Sequence, residues 1–282
     1  MIVLPASTDE LIDRAFREDV GDGDHTTLAT IPEGSKGAAR LLVKQDGILA
    51  GVELAEHIAK RFDPEFYLRV YIIDGARVSP PDIAFDLRGP QRSILTVERV
   101  MLNFMQRLSG IATLTRQYVD AIEGTGCEVL DTRKTTPGLR ELEKWAVRLG
   151  GGTNHRLGLH DMIMIKDNHA DMCGGIPQAI AAAKEYLQRT GKDLPIEVET
   201  RNLEEVELVM RTGGVQRVML DNFTPYLLRK AIDRIEGKYI TEASGGITLE
   251  TIRSYAETGV DSISIGALTH SARALDLSLK AH

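Results

Sequence analysis

Apolar and polar positions along the chain follow two successive rhythms. In the first part, residues 9–17 bring Leu11, Ile12, Ala15 and Phe16 to one side at helical spacing. Runs at 38–43, 67–73 and 83–87 read as strands, 52–62 reads as a helix, and Pro80-Pro81 marks a turn. That mixture predicts an α+β unit. A helical stretch over 96–123, expected to break near Ser109-Gly110, leads into the second rhythm. There, short apolar strands at 128–131, 162–165, 196–198, 218–220, 239–241 and 262–265 alternate with amphipathic helices such as 177–189, 203–211 and 225–235. Such alternation predicts a parallel sheet wound as a β/α barrel. Six strands are visible, which does not support a closed eight-stranded barrel.

In a β/α barrel the chemistry sits at the C-terminal ends of the strands, so the residues closing each apolar run are the informative ones. In chain order these are Arg133 and Lys134, Lys166, Glu199, Asp221, Ser244-Gly245-Gly246 and Gly266. His155 and Arg156 follow a glycine-rich stretch, Gly150-Gly151-Gly152, that has neither a Walker nor a dinucleotide pattern. Three chemical types emerge. Arg133, Lys134, His155, Arg156 and Lys166 suit a dicarboxylate and a diphosphate, because arginine offers a planar fork and lysine a point charge. Glu199 and Asp221 could ligate magnesium or accept hydrogen bonds from ribose hydroxyls. The run EASGGI, followed by a helix expected from Thr248, suits a phosphate.

Composition narrows the field. The 282 residues are 43% hydrophobic, enough for a substantial core, and carry a net charge of −7, which argues against a nucleic-acid surface. Within 132–169, however, basic residues outnumber acidic ones, a local focus suited to a small polyanion. Cys127 and Cys173 are too few for a disulfide framework or a clustered zinc site. His155, His160 and His169 fall on different predicted elements, so a histidine metal site is not expected. No apolar run reaches membrane length and the opening MIVLPASTDE lacks a signal-peptide pattern, so the expected location is cytoplasmic.

The segments carrying these residues resemble the quinolinate phosphoribosyltransferase family, also called carboxylating nicotinate-nucleotide pyrophosphorylase. They are ERVMLNFMQRLSGIAT at 98–113, DTRKTTPGLR at 131–140, EKWAVRLGGGTNHRLGLHDMIMIKDNH at 143–169, IEVE at 196–199, MLDN at 219–222, EASGGI at 242–247 and DSISIGALTHS at 261–271. The resemblance implies an α/β protein. Its mixed α+β N-terminal domain would span 1–110 and an incomplete seven-stranded β/α barrel 111–270, with the tail 271–282 returning to the first domain. It also implies a homodimer, with further assembly left open, in which Arg99 of one subunit enters its neighbour's site. Arg133, His155 and Arg156 then match quinolinate-binding positions, and Lys134 and Lys166 are shared between substrate and pyrophosphate. Glu199 and Asp221 match the carboxylates that hold ribose and Mg2+, while Ser244, Gly245, Gly246 and Gly266 match the 5′-phosphate site. Lys134, Lys166, Glu199 and Asp221 are the expected catalytic set.

The implied reaction joins quinolinate to phosphoribosyl pyrophosphate, with loss of pyrophosphate and carbon dioxide. Trp145 in place of a usual tyrosine and EASGGI in place of ESSGGI are departures that touch only local packing. The alternatives are the related protein encoded beside molybdate transporters and a non-catalytic nucleotide-binding protein. A Schiff-base enzyme using Lys134 or Lys166 is a third reading. The intact TRKTTPGLR and GGGTNHR runs favour quinolinate over the first, and the joint presence of Lys166, Glu199 and Asp221 argues against the second.

Overall fold

The computed structural model describes residues 7–282; the first six residues of the opening segment, read for a signal peptide, lie outside them. The described chain divides into two compact units. The first takes the described residues up to Arg116, Thr136–Gly151 and His270–His282; the second takes Gln117–Thr135 and Gly152–Thr269.

The first unit is built on an antiparallel sheet with strand order Leu277–Ala281, Lys36–Val43, Ile83–Pro90, Tyr67–Val70. Alternate residues of Lys36–Val43 are buried, as expected of a strand with one face on a core. The predicted strand 67–73 stops at Val70. Beyond it, the N–H groups of Tyr71 and Ile72 both donate to the Ala84 carbonyl, at 2.9 and 3.1 Å, and the ladder loses register. Helix Val52–Phe62 buries Leu54, Ala55, Ile58 and Ala59, and the Asp74 carboxylate caps it by accepting from the N–H groups of Val52 and Glu53 at 2.8 and 3.0 Å.

One expectation for this unit is corrected. The long helix runs unbroken from Gln91 to Ala121, with no interruption at Ser109-Gly110. Those residues serve close packing: Ser109 Oγ bonds the N–H and C=O of Ala50, and a Cβ on Gly110 would collide with the Arg273 carbonyl. The segment Thr136–Gly151, assigned from sequence to the second domain, groups with the first. It forms helix Arg140–Leu149, which buries Leu142, Trp145, Ala146 and Val147. Glu143 on the same helix is fully buried and accepts from Arg107 Nη2 at 2.8 Å and the Thr136 N–H at 3.1 Å.

The second unit holds a six-stranded parallel sheet in the order Glu128–Leu130, Ser262–Ser264, Ile240–Ser244, Arg217–Asp221, Ile196–Thr200, Ile163–Ile165. Helices Ile176–Thr190, Leu203–Thr212 and Pro225–Ile235 alternate with the strands. Asn202 and Thr224 cap the latter two through the N–H groups of Glu205 and Leu227. Six strands form, not the seven implied by resemblance. At the seventh position Thr153 makes one parallel bridge to Leu130. Pairing goes no further because Asn154 and His155 turn to bond the Asp131 side chain.

Gly110→Ala is expected to destabilise the protein by about 2 kcal/mol or more, despite the better helix propensity of alanine, because the obstructing atom is a backbone carbonyl that cannot rotate away. Thermal denaturation checks the sign: a mutant as stable as the parent would show that the Arg273 segment yields.

Candidate active site

A period of two directs every second residue of a strand to one face, and in the second unit those positions carry polar groups. Glu197 and Glu199 share the inward face of Ile196–Thr200, Arg217, Met219 and Asp221 that of Arg217–Asp221, and Glu242 and Ser244 that of Ile240–Ser244. Glu199, Asp221 and Ser244 thus lie within their strands, not beyond the ends as read from the apolar runs. A hollow of about 330 Å³ opens here, lined by Arg133, Lys134, His155, Arg156, Lys166 and Ser244 from the predicted set. Asp131, Thr132, Met164, Met219, Glu242 and Ser264 complete it.

The base of the hollow is ionic. Glu197 and Glu242 are both fully buried, and His155 Nε2 lies 3.1 Å from a carboxylate oxygen of each. Arg217 Nη2 donates to Glu242 Oε2 and to Ser262 Oγ, each at 3.1 Å, and its Nε lies 3.6 Å from Glu197 Oε1. Burial pulls the His155 pKa down, but its bonds to the two carboxylates and their charge outweigh burial and bring it up to about 9. The Arg156 N–H donates to His155 Nδ1 at 2.7 Å, so a second proton on the ring requires that bond to open. His155, Glu197 and Glu242 form the one group of three metal-capable side chains found among the described residues. Arg217 already supplies a cation to the two carboxylates.

Above the base, the cations are held by the chain around them. Asp131 Oδ2 accepts from Asn154 Nδ2 at 2.6 Å and Oδ1 from the His155 N–H at 2.9 Å. Asp161 accepts from the N–H groups of Leu157 and Gly158 at 2.6 and 3.0 Å, and Arg156 Nη1 reaches the Met162 carbonyl at 3.4 Å. The Lys134 carbonyl accepts from Thr269 Oγ1 at 2.8 Å. Burial and the neighbouring Arg133 charge both push the Arg156 pKa down from its usual value. Two guanidinium groups therefore repel each other across a partly buried space, a tension that an anion relieves.

At another corner Lys166 Nζ pairs with Glu199 Oε2 at 2.7 Å. Burial raises the Asp221 pKa and the Glu199 charge adds to it, against the opposing Ser244 hydroxyl and Lys166. Asn222, held in left-handed conformation at φ 58°, donates to Asp221 Oδ2 at 2.6 Å. Gly245 has φ 97°, and a Cβ there would strike Asn222, so the strand end and the glycine turn interlock. The following helix begins at Ile252 and has five residues, not at Thr248 as expected; Thr248 instead accepts from the Thr251 and Ile252 N–H groups.

Glu199 and Asp221 join the predicted cluster through Lys166 and Ser244, while Gly245, Gly246, Gly266 and Arg99 are not among the residues lining the hollow. Arg99 is exposed on the long helix of the first unit. His169 caps the Lys166 N–H at 3.0 Å. Sequence reading assigned no role to Asp131, Glu197, Arg217, Asn222 or Glu242. The available signal was a charged residue two positions before a predicted one, as in Asp131–Arg133, Glu197–Glu199 and Glu242–Ser244; Arg217 and Asn222 carry no such signal.

The family models described as quinolinate phosphoribosyl transferase, N-terminal and C-terminal domains, match residues 24–109 and 111–280. The chain is 45% identical to the mitochondrial quinolinate phosphoribosyltransferase [decarboxylating] 2 of Nicotiana glauca, covering 96% of this chain and 81% of that one. It is 42% identical to the probable nicotinate-nucleotide pyrophosphorylase [carboxylating] of Bacillus subtilis, covering 96% and 92%. Among solved structures, NadC from Streptococcus pyogenes superposes with a TM-score of 0.94 at 40% identity, covering 99% of this chain and 98% of that one. The nicotinate-nucleotide pyrophosphorylase of Francisella tularensis gives 0.93 at 38% identity, with 99% and 98% covered.

A histidine pKa raised from 6.5 to about 9 adds stability that is fully present below 6.5 and lost as pH rises through about 9. Urea denaturation is therefore expected to show stability falling across that window, with a shallower fall in His155→Gln. Equal slopes in the two proteins would mean that His155 does not hold the proton.

Proposed function

The chain belongs to the quinolinate phosphoribosyltransferase family, and we propose that its basic hollow is where quinolinate and phosphoribosyl pyrophosphate react to give nicotinate mononucleotide, pyrophosphate and carbon dioxide. The observation that carries this assignment of the site is the pair Arg133 and Arg156, with Lys134 and Lys166 lining the same hollow. Adjacent carboxylates on a flat ring match paired guanidinium forks, which lysines alone would not distinguish from any other anion. Met164 and Met219 in the same lining offer soft apolar surface to the ring.

In this reading Arg133, Arg156 and His155 orient the pyridine ring so that its nitrogen faces the anomeric carbon of the ribose. Lys166 and Lys134 lie beside the departing pyrophosphate, and Glu199 and Asp221 accept hydrogen bonds from the ribose hydroxyls. Ser244, Gly245, Gly246 and Gly266 form the cradle for the 5′-phosphate. The carboxylate pair fits a hard divalent cation, since part of the upward shift at Asp221 comes from the Glu199 charge, which such an ion relieves. Magnesium bound there would supply charge neutralisation to the pyrophosphate. Nitrogen attack breaks the bond from the anomeric carbon to pyrophosphate and leaves the ring nitrogen cationic. The adjacent carboxylate then departs as carbon dioxide, the ring takes the electron pair, and a proton replaces it. The protein contributes orientation and fixed charge.

A homodimer in which Arg99 serves the neighbouring subunit's site is part of the same proposal, supported by the exposure of Arg99 on its helix. A cytoplasmic location rests on the sequence expectation. The chain has no described helix long and apolar enough to cross a membrane, and the Nicotiana glauca relative is named as mitochondrial.

Purified protein with magnesium and phosphoribosyl pyrophosphate is expected to turn over quinolinate and to discriminate against nicotinate, which lacks one carboxylate, by about 10⁴-fold in kcat/KM. Equal use of both acceptors would remove the dicarboxylate reading. Lys166→Met is expected to lower kcat by about 10²-fold or more, read from pyrophosphate release. Arg99→Ala is expected to stay dimeric yet inactive. Refolding it together with Lys166→Met should restore up to about a quarter of wild-type activity, because half the dimers then hold one intact site. No recovery from mixed dimers would rule out the shared site.

A further inference from the structure

We propose that Arg217 is a positioning residue that sets the charge balance beneath the hollow, and thereby the affinity for a planar dianionic acceptor that it does not touch. The inference rests on the reading that quinolinate occupies the hollow. Arg217 is the first residue of its strand, one step below Met219, and it is not among the residues lining the hollow. Its guanidinium reaches both buried carboxylates, Glu242 at 3.1 Å and Glu197 at 3.6 Å. Glu242 does line the hollow. An acceptor with two negative charges therefore sits over two more. Arg217 is the cation that reaches both from beneath, while Arg156, whose charge also interacts with Glu197, lines the hollow.

The remaining neighbours cannot take its place. Ser262 and Ser264 are neutral, Arg156 lines the hollow on the acceptor's side, and the charge that His155 carries is already shared between both carboxylates at 3.1 Å. Without Arg217, one buried negative charge is left uncompensated, and His155 and Arg156 are drawn toward it and away from the acceptor. The uncompensated carboxylate would also repel the acceptor directly. Both routes weaken acceptor binding. Both act through Glu242, His155 and Arg156, whereas phosphoribosyl pyrophosphate is read onto the corner formed by Lys166, Glu199, Asp221 and Ser244, so the larger effect is expected on quinolinate.

The test separates charge from shape. Each variant is first checked for folding by circular dichroism, and KM is then measured for each substrate with the other saturating. Arg217→Met is expected to raise the quinolinate KM by about tenfold or more while the phosphoribosyl pyrophosphate KM stays within about threefold. Arg217→Lys keeps the charge and should remain within about threefold of wild type for both. Arg217→Met combined with Glu197→Gln removes one charge of each sign and should recover most of the quinolinate affinity. If Arg217→Met does not fold, the double variant decides: a quinolinate KM within about threefold of wild type supports the proposal, and one raised about tenfold overturns it. A folded Arg217→Met with unchanged quinolinate KM, or an equal rise in both KM values, also overturns it. Inactivity of the wild-type protein toward quinolinate would fail the functional reading instead, before any variant is compared.

Discussion

Glu197 and Glu242 lie inside a parallel sheet with no exposed side-chain surface, and the groups above them are arranged around the need to keep those two charges matched. Desolvating a carboxylate costs several kcal/mol unless a cation and hydrogen bonds return the energy lost with water. Arg217 and His155 provide the match. His155 passes the constraint upward, because its Nδ1 is bonded to the Arg156 N–H and its own N–H is bonded to Asp131. The position of Arg156, half-buried next to Arg133, is thus tied through one histidine to an ion network on the strands below.

The hollow contains the converse problem. Four cations line one small space, and the downward shift of Arg156 under burial and the Arg133 charge records their mutual repulsion. Such an arrangement persists because it is held by backbone and side-chain contacts around the hollow: Asp131 on 154–155, Asp161 on 157–158, and Thr269 on the Lys134 carbonyl. Charges fixed in advance of substrate need little reorganisation during reaction, which is the main way a site without a covalent intermediate lowers a barrier. The family's chemistry, displacement at a ribosyl carbon between two anions, calls for that kind of site.

The first unit uses the same device for stability. Glu143 is buried with Arg107 as its ion partner and the Thr136 N–H as a further donor. Asp74 closes the N-terminus of helix Val52–Phe62, even though burial, the largest influence on it, pushes its pKa up. In both places a carboxylate organises backbone that has no regular partner, and the helix that follows is fixed in direction.

The sequence by itself determined the alternation of strands and helices. Each predicted strand of the second unit overlaps an observed one, and helix Pro225–Ile235 coincides with its apolar stripe, because side-chain periodicity is a local property of the backbone. It also pointed to Lys166, Glu199, Asp221 and Ser244, which stand at or just inside the C-terminal ends of parallel strands. What it left undecided depended on residues distant along the chain. Gly110 reads as a helix break until the Arg273 carbonyl is seen against it. The segment Thr136–Gly151 reads as part of the second domain until its contacts group it with the first. Thr153 occupies the seventh strand position with one bridge, because the next residues are drawn to Asp131. Glu197, Glu242 and Arg217 look, in one dimension, like isolated charges interrupting apolar strands. Only the parallel register, which sets Glu197 opposite Arg217 and Glu242 opposite Ser262, turns them into a neutralised network. Pairing between charges is a property of distance in space, and a sequence records only distance along the chain.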